Sequence, residues 1–325
     1  MNKKTIGSSG LQVSPLGFGG WAIGGPFLLD GLPDGWGEVD DKESIRAVQT
    51  ALDQGINFFD TADVYGTGHS EEILGQALHG RRQDAVIATK FGFTYDTATR
   101  NVFTKLDVSR NYIRWACQAS LRRLGMDYID LYQIHPGDFS SEQLDEAIDG
   151  LERLKQEGLI RAYGWSTWST ANAEQFARKS SGAAIQHPLN VLSDDSSMVE
   201  LCERHGLSSI NNSPLAMGLL SGKFTAASSL PADDVRGSGH EWVQYFKDGK
   251  PLPEYLAKLD AVREILTSGG RSLVQGALAW IWGKSECTIP IPGLKNVKQV
   301  EEAAKAISLG PLTPSQMSEI EAILR

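Results

Sequence analysis

Ala85-Val86-Ile87-Ala88-Thr89-Lys90 is an apolar run of strand length that ends on a charged residue. Two other runs, Asn57-Phe58-Phe59-Asp60 and Ile129-Asp130-Leu131-Tyr132-Gln133-Ile134-His135, end on a polar residue in the same way. Between and beyond them strand-like and helix-like stretches alternate. Strands are expected at 16–19, 57–60, 85–90, 129–135, 160–166, 183–187, 208–213 and 288–291. Helices are expected from 41 (Ile45, Val48, Ala51 and Leu52 at helical spacing), at 70–79, 109–124, 141–157, 171–180 and 196–205, from 272, and a last one from about 297. Eight such repeats, with helix stops at Gly55, Gly125, Gly158 and Gly206, predict an α/β (β/α)8 TIM barrel as one domain over 1–325. Residues 5–13 read as a β-hairpin that plugs one barrel end. Residues 92–107 and 224–252, long and polar, read as loops of low order.

In a parallel barrel the C-terminal strand ends open into one pocket, so Asp60, Lys90 and His135 converge there, with Tyr65 just beyond the second strand. A phenol near pKa 10 is a weak acid at neutral pH and needs a neighbour that stabilises the phenolate. Lys90 is that neighbour, expected to lower the Tyr65 pKa, while Asp60 holds the ammonium and His135 donates a second hydrogen bond to a substrate oxygen. Such a group protonates an alkoxide formed when hydride arrives, and no side chain supplies hydride, so a nicotinamide cofactor is implied. Each residue also has a plainer reading: Asp60 as a turn cap, Lys90 as a solvated strand-end cation, His135 as a satisfied core histidine. Their shared position weighs against those readings, because core packing does not ask for polar residues at one end of three apolar strands.

Composition narrows the partners. A formal charge of −9, with 31 Lys and Arg scattered among 40 Asp and Glu, provides no basic face for nucleic acid or an anionic membrane. Arg81-Arg82 and Arg122-Arg123, the adjacent arginine pairs, read as solvated helix ends. Cys117, Cys202 and Cys287 are odd in number, far apart and without partners at metal-ligand spacing, so they read as buried thiols of a reducing, cytoplasmic compartment, with no metal site. No secretory leader follows Met1, and the most apolar helix is too short to cross a bilayer. Composition and periodicity leave the oligomeric state open.

The motifs Phe59-Asp60-Thr61-Ala62-Asp63-Val64-Tyr65-Gly66, Ala88-Thr89-Lys90-Phe91-Gly92 and Ser120-Leu121-Arg122-Arg123-Leu124-Gly125, the last leading to 127–135, resemble those of the aldo-keto reductases. The resemblance runs from residue 5 to the C-terminus, nearest to bacterial members with a Pro-Gly-x-Lys/Arg-Asn segment, here Pro292-Gly293-Leu294-Lys295-Asn296. It implies Tyr65 as general acid tuned by Lys90 and Asp60, His135 orienting the carbonyl, and NADP(H) held without the G-x-G-x-x-G turn, which this chain lacks after its first strand. By the same resemblance Ser166 and Gln186 meet the nicotinamide carboxamide. Ser213, Leu215, Gly218, Leu219, Ser221 and Lys223 line the pyrophosphate. Gly293, Leu294, Lys295, Gln299 and Glu302 hold the adenosine end, with Lys295 on the 2′-phosphate. Gly20, Trp21, Asp60, Thr167 and Asn212 complete the cofactor set, and Trp21 also walls the substrate pocket. The chain departs from the family pattern at four places: Thr167 and Ala303 stand for Asn, Asn212 for an aromatic residue, and Pro136 for Trp.

The implied activity is reversible NADPH-dependent reduction of a small-molecule carbonyl to an alcohol. Two rivals remain open at this point: a redox-sensing subunit that binds cofactor with little turnover, and a metal- or phosphate-dependent barrel lyase or isomerase, for which the Gly218 to Gly222 segment would pass as a phosphate loop.

Overall fold

The computed structural model describes residues 1–325. Eight parallel strands, Gly17–Gly19, Phe58–Asp60, Val86–Phe91, Ile129–Ile134, Ile160–Ser166, Ala184–Pro188, Ser208–Asn212 and Thr288–Pro290, lie side by side in sequence order. Closure between the first and last is made by Gly19, whose N–H donates to Pro292 O at 2.8 Å. A side chain on Gly19 is excluded: its Cβ would lie 2.7 Å from Ile291 O. The expected barrel is thus present, and its strands and helices begin and end within a residue or two of the expected positions.

The period of two along each strand sorts the side chains. Phe59, Ile87, Phe91, Tyr132, Trp165 and Ile185 point outward and pack under the helices in the main core. Phe58, Val86, Ala88, Leu131, Ala162, Ile210 and Ile289 point inward and fill the lower barrel together with Ile6, Leu11 and Val13 of the N-terminal hairpin, Lys4–Thr5 paired with Gln12–Val13. The plug expected from the sequence therefore contributes core, with all three side chains buried.

Helices end where the chain can turn left-handed: Gly125 after Arg110–Leu124 at φ 63° and Gly206 after Ser196–His205 at φ 65°. Two helices escaped the sequence reading. Pro253–Thr267 buries Leu259, Val262 and Leu266, an i, i+3, i+7 spacing behind a proline in its first turn. Pro314–Leu324 restarts after Val297–Leu309 through a Thr313–Gln316 capping box.

Residues 92–107 are not a loop of low order. They form a hairpin, Phe93–Asp96 with Asn101–Leu106, that joins Leu28–Leu29 and Leu32–Pro33 in a four-stranded sheet. Its turn is held by the Asp96 carboxylate, which accepts from Ala98 N–H and the Thr99 hydroxyl. Residues 224–252 carry only the short hairpin Phe246–Lys247 and Lys250–Pro251, yet they are tied to the first barrel loop: Val235 N–H donates to Gly35 O at 2.9 Å and Trp36 bridges Asp234.

The arginine pairs also differ from expectation. Arg123 turns inward, its Nε 2.6 Å from the fully buried Glu71, and Arg82 meets the buried Asp130 at 2.7 Å. Only Arg122 is an exposed helix end: Arg81 pairs with Asp53 at 2.7 Å, and Arg82 and Arg123 supply the cations for the buried Asp130 and Glu71. Cys117 and Cys202 are buried, while Cys287 is half-buried.

Candidate active site

Counting two residues up from the apolar inner layer gives the site. Phe58 is followed inward by Asp60, Ala88 by Lys90, Leu131 by Gln133 and Ala184 by Gln186, so one ring of the barrel interior is polar. These groups satisfy one another. Lys90 Nζ donates to Asp60 Oδ1 at 2.6 Å, to Thr61 O at 2.9 Å and to Tyr65 OH at 3.3 Å. The other carboxylate oxygen, Asp60 Oδ2, accepts from Gln133 Nε2 at 3.0 Å and Gln186 Nε2 at 2.8 Å. Gln133 was missed from the sequence, although it shares the inward parity of His135 two residues later.

Burial divides the four expected residues into two pairs. Lys90 and Asp60 are 0% and 2% exposed, whereas Tyr65 and His135 are half-buried and open to the pocket. The inner pair holds charge, and the outer pair meets what enters. Tyr65 and His135 rings stand edge to face at 5.8 Å, and Trp21 stacks on Tyr65 at 5.9 Å. Trp36 and Trp242 pack on Trp21, and Phe93 from the hairpin packs on His135, so the pocket wall is aromatic.

Electrostatics corrects one expectation. Burial raises the Tyr65 pKa above the ordinary phenol value; the Lys90 ammonium lowers it as anticipated but is outweighed. The phenol is therefore protonated across the neutral range, the state a proton donor needs. Burial also opposes the Lys90 charge, yet Asp60 and Tyr65 together hold its pKa above the usual lysine value. His135 is pushed well below its ordinary value by burial and then by Lys90, so it is a neutral imidazole. Its Nδ1 has no hydrogen-bond partner within the chain.

Behind the site, Asp63 is fully buried and neither carboxyl oxygen is partnered. Burial, reinforced by Glu71, drives its pKa well above the carboxylate range. With the folded pKa above the unfolded one, its contribution to stability is complete below the unfolded value and is lost as pH rises toward the folded value. The urea midpoint of the wild type is expected to fall between about pH 5 and pH 8 by more than that of Asp63→Asn, and equal falls would show that Asp63 is ionised.

The loop after the seventh strand is built for close approach. Ser213, Ala216 and Met217, none of them glycine, sit at φ 50°, 48° and 52°. Such conformations concentrate at sites where backbone must meet a ligand. Lys223, Arg236 and Lys295 share this region: burial lowers the pKa of both lysines, and the other cations add to the effect. Arg236 is neutralised by Asp234 at 2.6 Å, whereas Lys223 makes no ion pair and Lys295 Nζ rests on Trp36 O at 3.0 Å. A cluster with surplus positive charge fits a phosphate-bearing cofactor.

The remaining expected contacts divide. Gln186 uses its amide nitrogen on Asp60 and Gln133, leaving its Oε1 without a partner in the chain. Ser166 is half-buried with its hydroxyl unengaged. By contrast the Thr167 hydroxyl donates to Gly137 O at 2.7 Å and accepts from Ser169 N–H, so it is committed to the local turn. Gln299 Oε1 accepts from Lys295 N–H at 2.7 Å, ordering that segment. The Asn212 side chain is half-buried and makes no hydrogen bond, and the Ala303 side chain is fully buried. Ser221 caps its own loop through Gly218 O, and the Glu302 backbone carbonyl accepts from Gln275.

The comparisons with known proteins agree with this geometry. The model of the aldo/keto reductase family matches residues 15–325. The chain is 31% identical to aldo-keto reductase YhdN of Bacillus subtilis, covering 100% of this chain and 94% of that one. It is 30% identical to a probable voltage-gated potassium channel subunit beta of Oryza sativa, covering 100% and 97%. Among solved structures, the glycerol dehydrogenase AKR11B4 from Gluconobacter oxydans superimposes with a TM-score of 0.83 at 32% identity, over 99% of this chain and 95% of that one. With a buried Asp60–Lys90 pair beneath an open tyrosine and histidine, at the C-terminal mouth of an eight-stranded barrel, the chain belongs to the aldo/keto reductase family, whose members are NAD(P)H-dependent oxidoreductases acting on carbonyl and alcohol groups.

Proposed function

We propose that this protein is an NADPH-dependent carbonyl reductase that converts aldehydes and ketones to alcohols reversibly, with Tyr65 as the general acid. The observation that carries the reading is the Lys90 ammonium, which contacts Asp60, Thr61 O and Tyr65 OH at once. It orients the phenol and stabilises the phenolate left after proton transfer. His135, neutral, donates from its imidazole to the substrate oxygen and aligns the carbonyl against Tyr65 OH. Trp21, stacked on Tyr65 and packed edge-on by Trp36, gives the reacting groups an apolar flank. A nicotinamide, when bound, supplies the hydride.

The residues present fit a phosphate-bearing dinucleotide. Gln186 Oε1 and the Ser166 hydroxyl are unengaged and would take the carboxamide, the left-handed positions at Ser213, Ala216 and Met217 would admit the pyrophosphate, and Lys295 with Lys223 would meet phosphate charge. The solved aldo-keto reductase of Klebsiella pneumoniae, described as a complex with NADPH, shares the fold at 22% identity. Preference for NADPH over NADH is assigned to Lys295. A charge-assisted hydrogen bond to phosphate contributes about 1.5 to 3 kcal/mol, so Lys295→Ala is expected to weaken NADPH by roughly 10- to 150-fold and NADH far less. Equal losses for the two cofactors, read by tryptophan fluorescence quenching, would assign the 2′-phosphate to another cation.

The resemblance to a potassium channel beta subunit supports a second reading, a cofactor-binding subunit with little turnover. A panel of aldehydes and ketones followed by NADPH absorbance separates the two. Rapid turnover supports the reductase, and tight NADPH binding with negligible turnover supports the subunit.

A further inference from the structure

The reductase mechanism leaves one member of the polar ring unused. Gln133 is 0% exposed on the fourth strand, in register with Lys90 on the third. On its other side it is in register with Gly164 of the fifth strand, which offers no side chain; a Cβ there would lie 2.7 Å from Ala184 O. That gap lets Gln186 of the sixth strand reach across the fifth, and its Nε2 donates to Gln133 Oε1 at 3.2 Å.

Asp60 fixes how both amides lie. A carboxylate paired with Lys90 only accepts, so each glutamine turns its nitrogen toward Asp60 Oδ2, at 3.0 Å for Gln133 and 2.8 Å for Gln186. A flipped Gln133 would set its own oxygen against the carboxylate and its nitrogen against that of Gln186. The two oxygens of Asp60 therefore differ in their partners: Oδ1 takes the Lys90 ammonium, and Oδ2 takes two amide N–H groups. The ammonium has three donors, and all three are engaged, on Asp60, Thr61 O and Tyr65 OH.

We propose that Gln133 is a positioning residue for the reaction, acting through Asp60: its amide holds carboxylate charge on the oxygen that does not meet Lys90, which leaves more of the ammonium's field for the phenolate of Tyr65. The inference rests on the carbonyl-reductase reading and adds a residue to it. Asp60 raises the phenol pKa and Lys90 lowers it, so charge drawn away from Oδ1 favours the form that Tyr65 reaches on giving up its proton. Hydrogen bonds to a charged group are strong in a water-free interior, so loss of one of two such donors is felt by the whole network.

The test follows kcat/KM, with saturating NADPH, for the aldehyde of the panel that the wild type reduces fastest, between about pH 5 and pH 9. Wild-type reduction is expected to be flat there, with the Tyr65 phenol protonated and His135 neutral. Gln133→Glu keeps the length of the side chain and, while protonated, a donor. A buried carboxyl facing a carboxylate loses its proton only well above the usual range, and on doing so it replaces that donor with a second negative charge beside Asp60. This variant is expected to stay within about threefold of the wild type at the acid end and to fall by roughly tenfold or more toward the alkaline end. Gln133→Met, similar in reach but without a donor, is expected to be slower by roughly tenfold at every pH.

A Gln133→Glu profile parallel to that of the wild type overturns the proposal, because a merely structural role changes the level and not the shape; so does a Gln133→Met rate within about twofold of wild type. Circular dichroism over the same range separates titration from unfolding, and a fall in rate that follows loss of ellipticity also overturns it. If Gln133→Met does not fold, the Gln133→Glu profile decides alone. An active wild type with a parallel variant leaves the reductase reading standing, whereas a wild type that reduces no aldehyde of the panel removes that reading and the role of Gln133 with it.

Discussion

Tyr65→Phe is expected to lower kcat by about 10² to 10⁴, the usual worth of a positioned general acid, while NADPH binding remains intact. The substitution is conservative in packing: Trp21 stacks on the ring and His135 meets it edge-on, and both contacts survive loss of the hydroxyl. Only the 3.3 Å contact to Lys90 Nζ and the transferable proton disappear. Steady-state turnover and quenching of tryptophan fluorescence by NADPH measure the two properties separately. A variant keeping more than about a tenth of the wild-type rate would remove Tyr65 from the role of acid. The pH profile carries the same assignment. Because burial raises the phenol pKa, reduction should hold its rate up to the ordinary tyrosine value, and alcohol oxidation, which requires the deprotonated phenol, should rise with pH toward it.

Lys90→Met should abolish activity and destabilise the fold together. The pair it forms with Asp60 is closed off from water, and removing one member of a buried ion pair typically costs about 3 to 5 kcal/mol because a charge is left alone. The amides of Gln133 and Gln186 remain on Asp60 Oδ2 but carry no compensating charge. Adding Asp60→Asn to Lys90→Met removes the stranded charge, so the double variant should regain much of the lost stability and none of the activity. Urea unfolding of the single and double variants gives the coupling energy between the two residues. Additive losses of stability would show that the pair is not coupled and that Lys90 acts on Tyr65 alone.

The barrel was legible because its information is local. Apolar runs of strand length, helical spacing, and left-handed stops such as Gly125 and Gly206 are properties of short segments, and the inward parity that carries Phe58 to Asp60 and Ala88 to Lys90 follows from a period of two. Tyr65, Lys90, Asp60 and His135 were nameable for that reason, and the quoted motifs placed them in a family. The hairpin at Phe93–Asp96 and Asn101–Leu106 was not, since its polar strands are stabilised by pairing with Leu28–Leu29, some seventy residues away.

By itself, then, the amino-acid sequence determined the (β/α)8 scaffold, the plugging hairpin, and which four polar residues cluster at one barrel end, because backbone periodicity and strand order are written in neighbouring residues. Tertiary structure alone decided what surrounds them. Gln133 bonds to Asp60, Arg123 turns inward to Glu71, and residues 33–37 meet 234–240 to bring Asp34 beside His240. The sign of the Tyr65 shift belongs here too. Lys90 and burial act in opposite directions on the phenol, and only the packing around it determines how much water is excluded and therefore which one prevails.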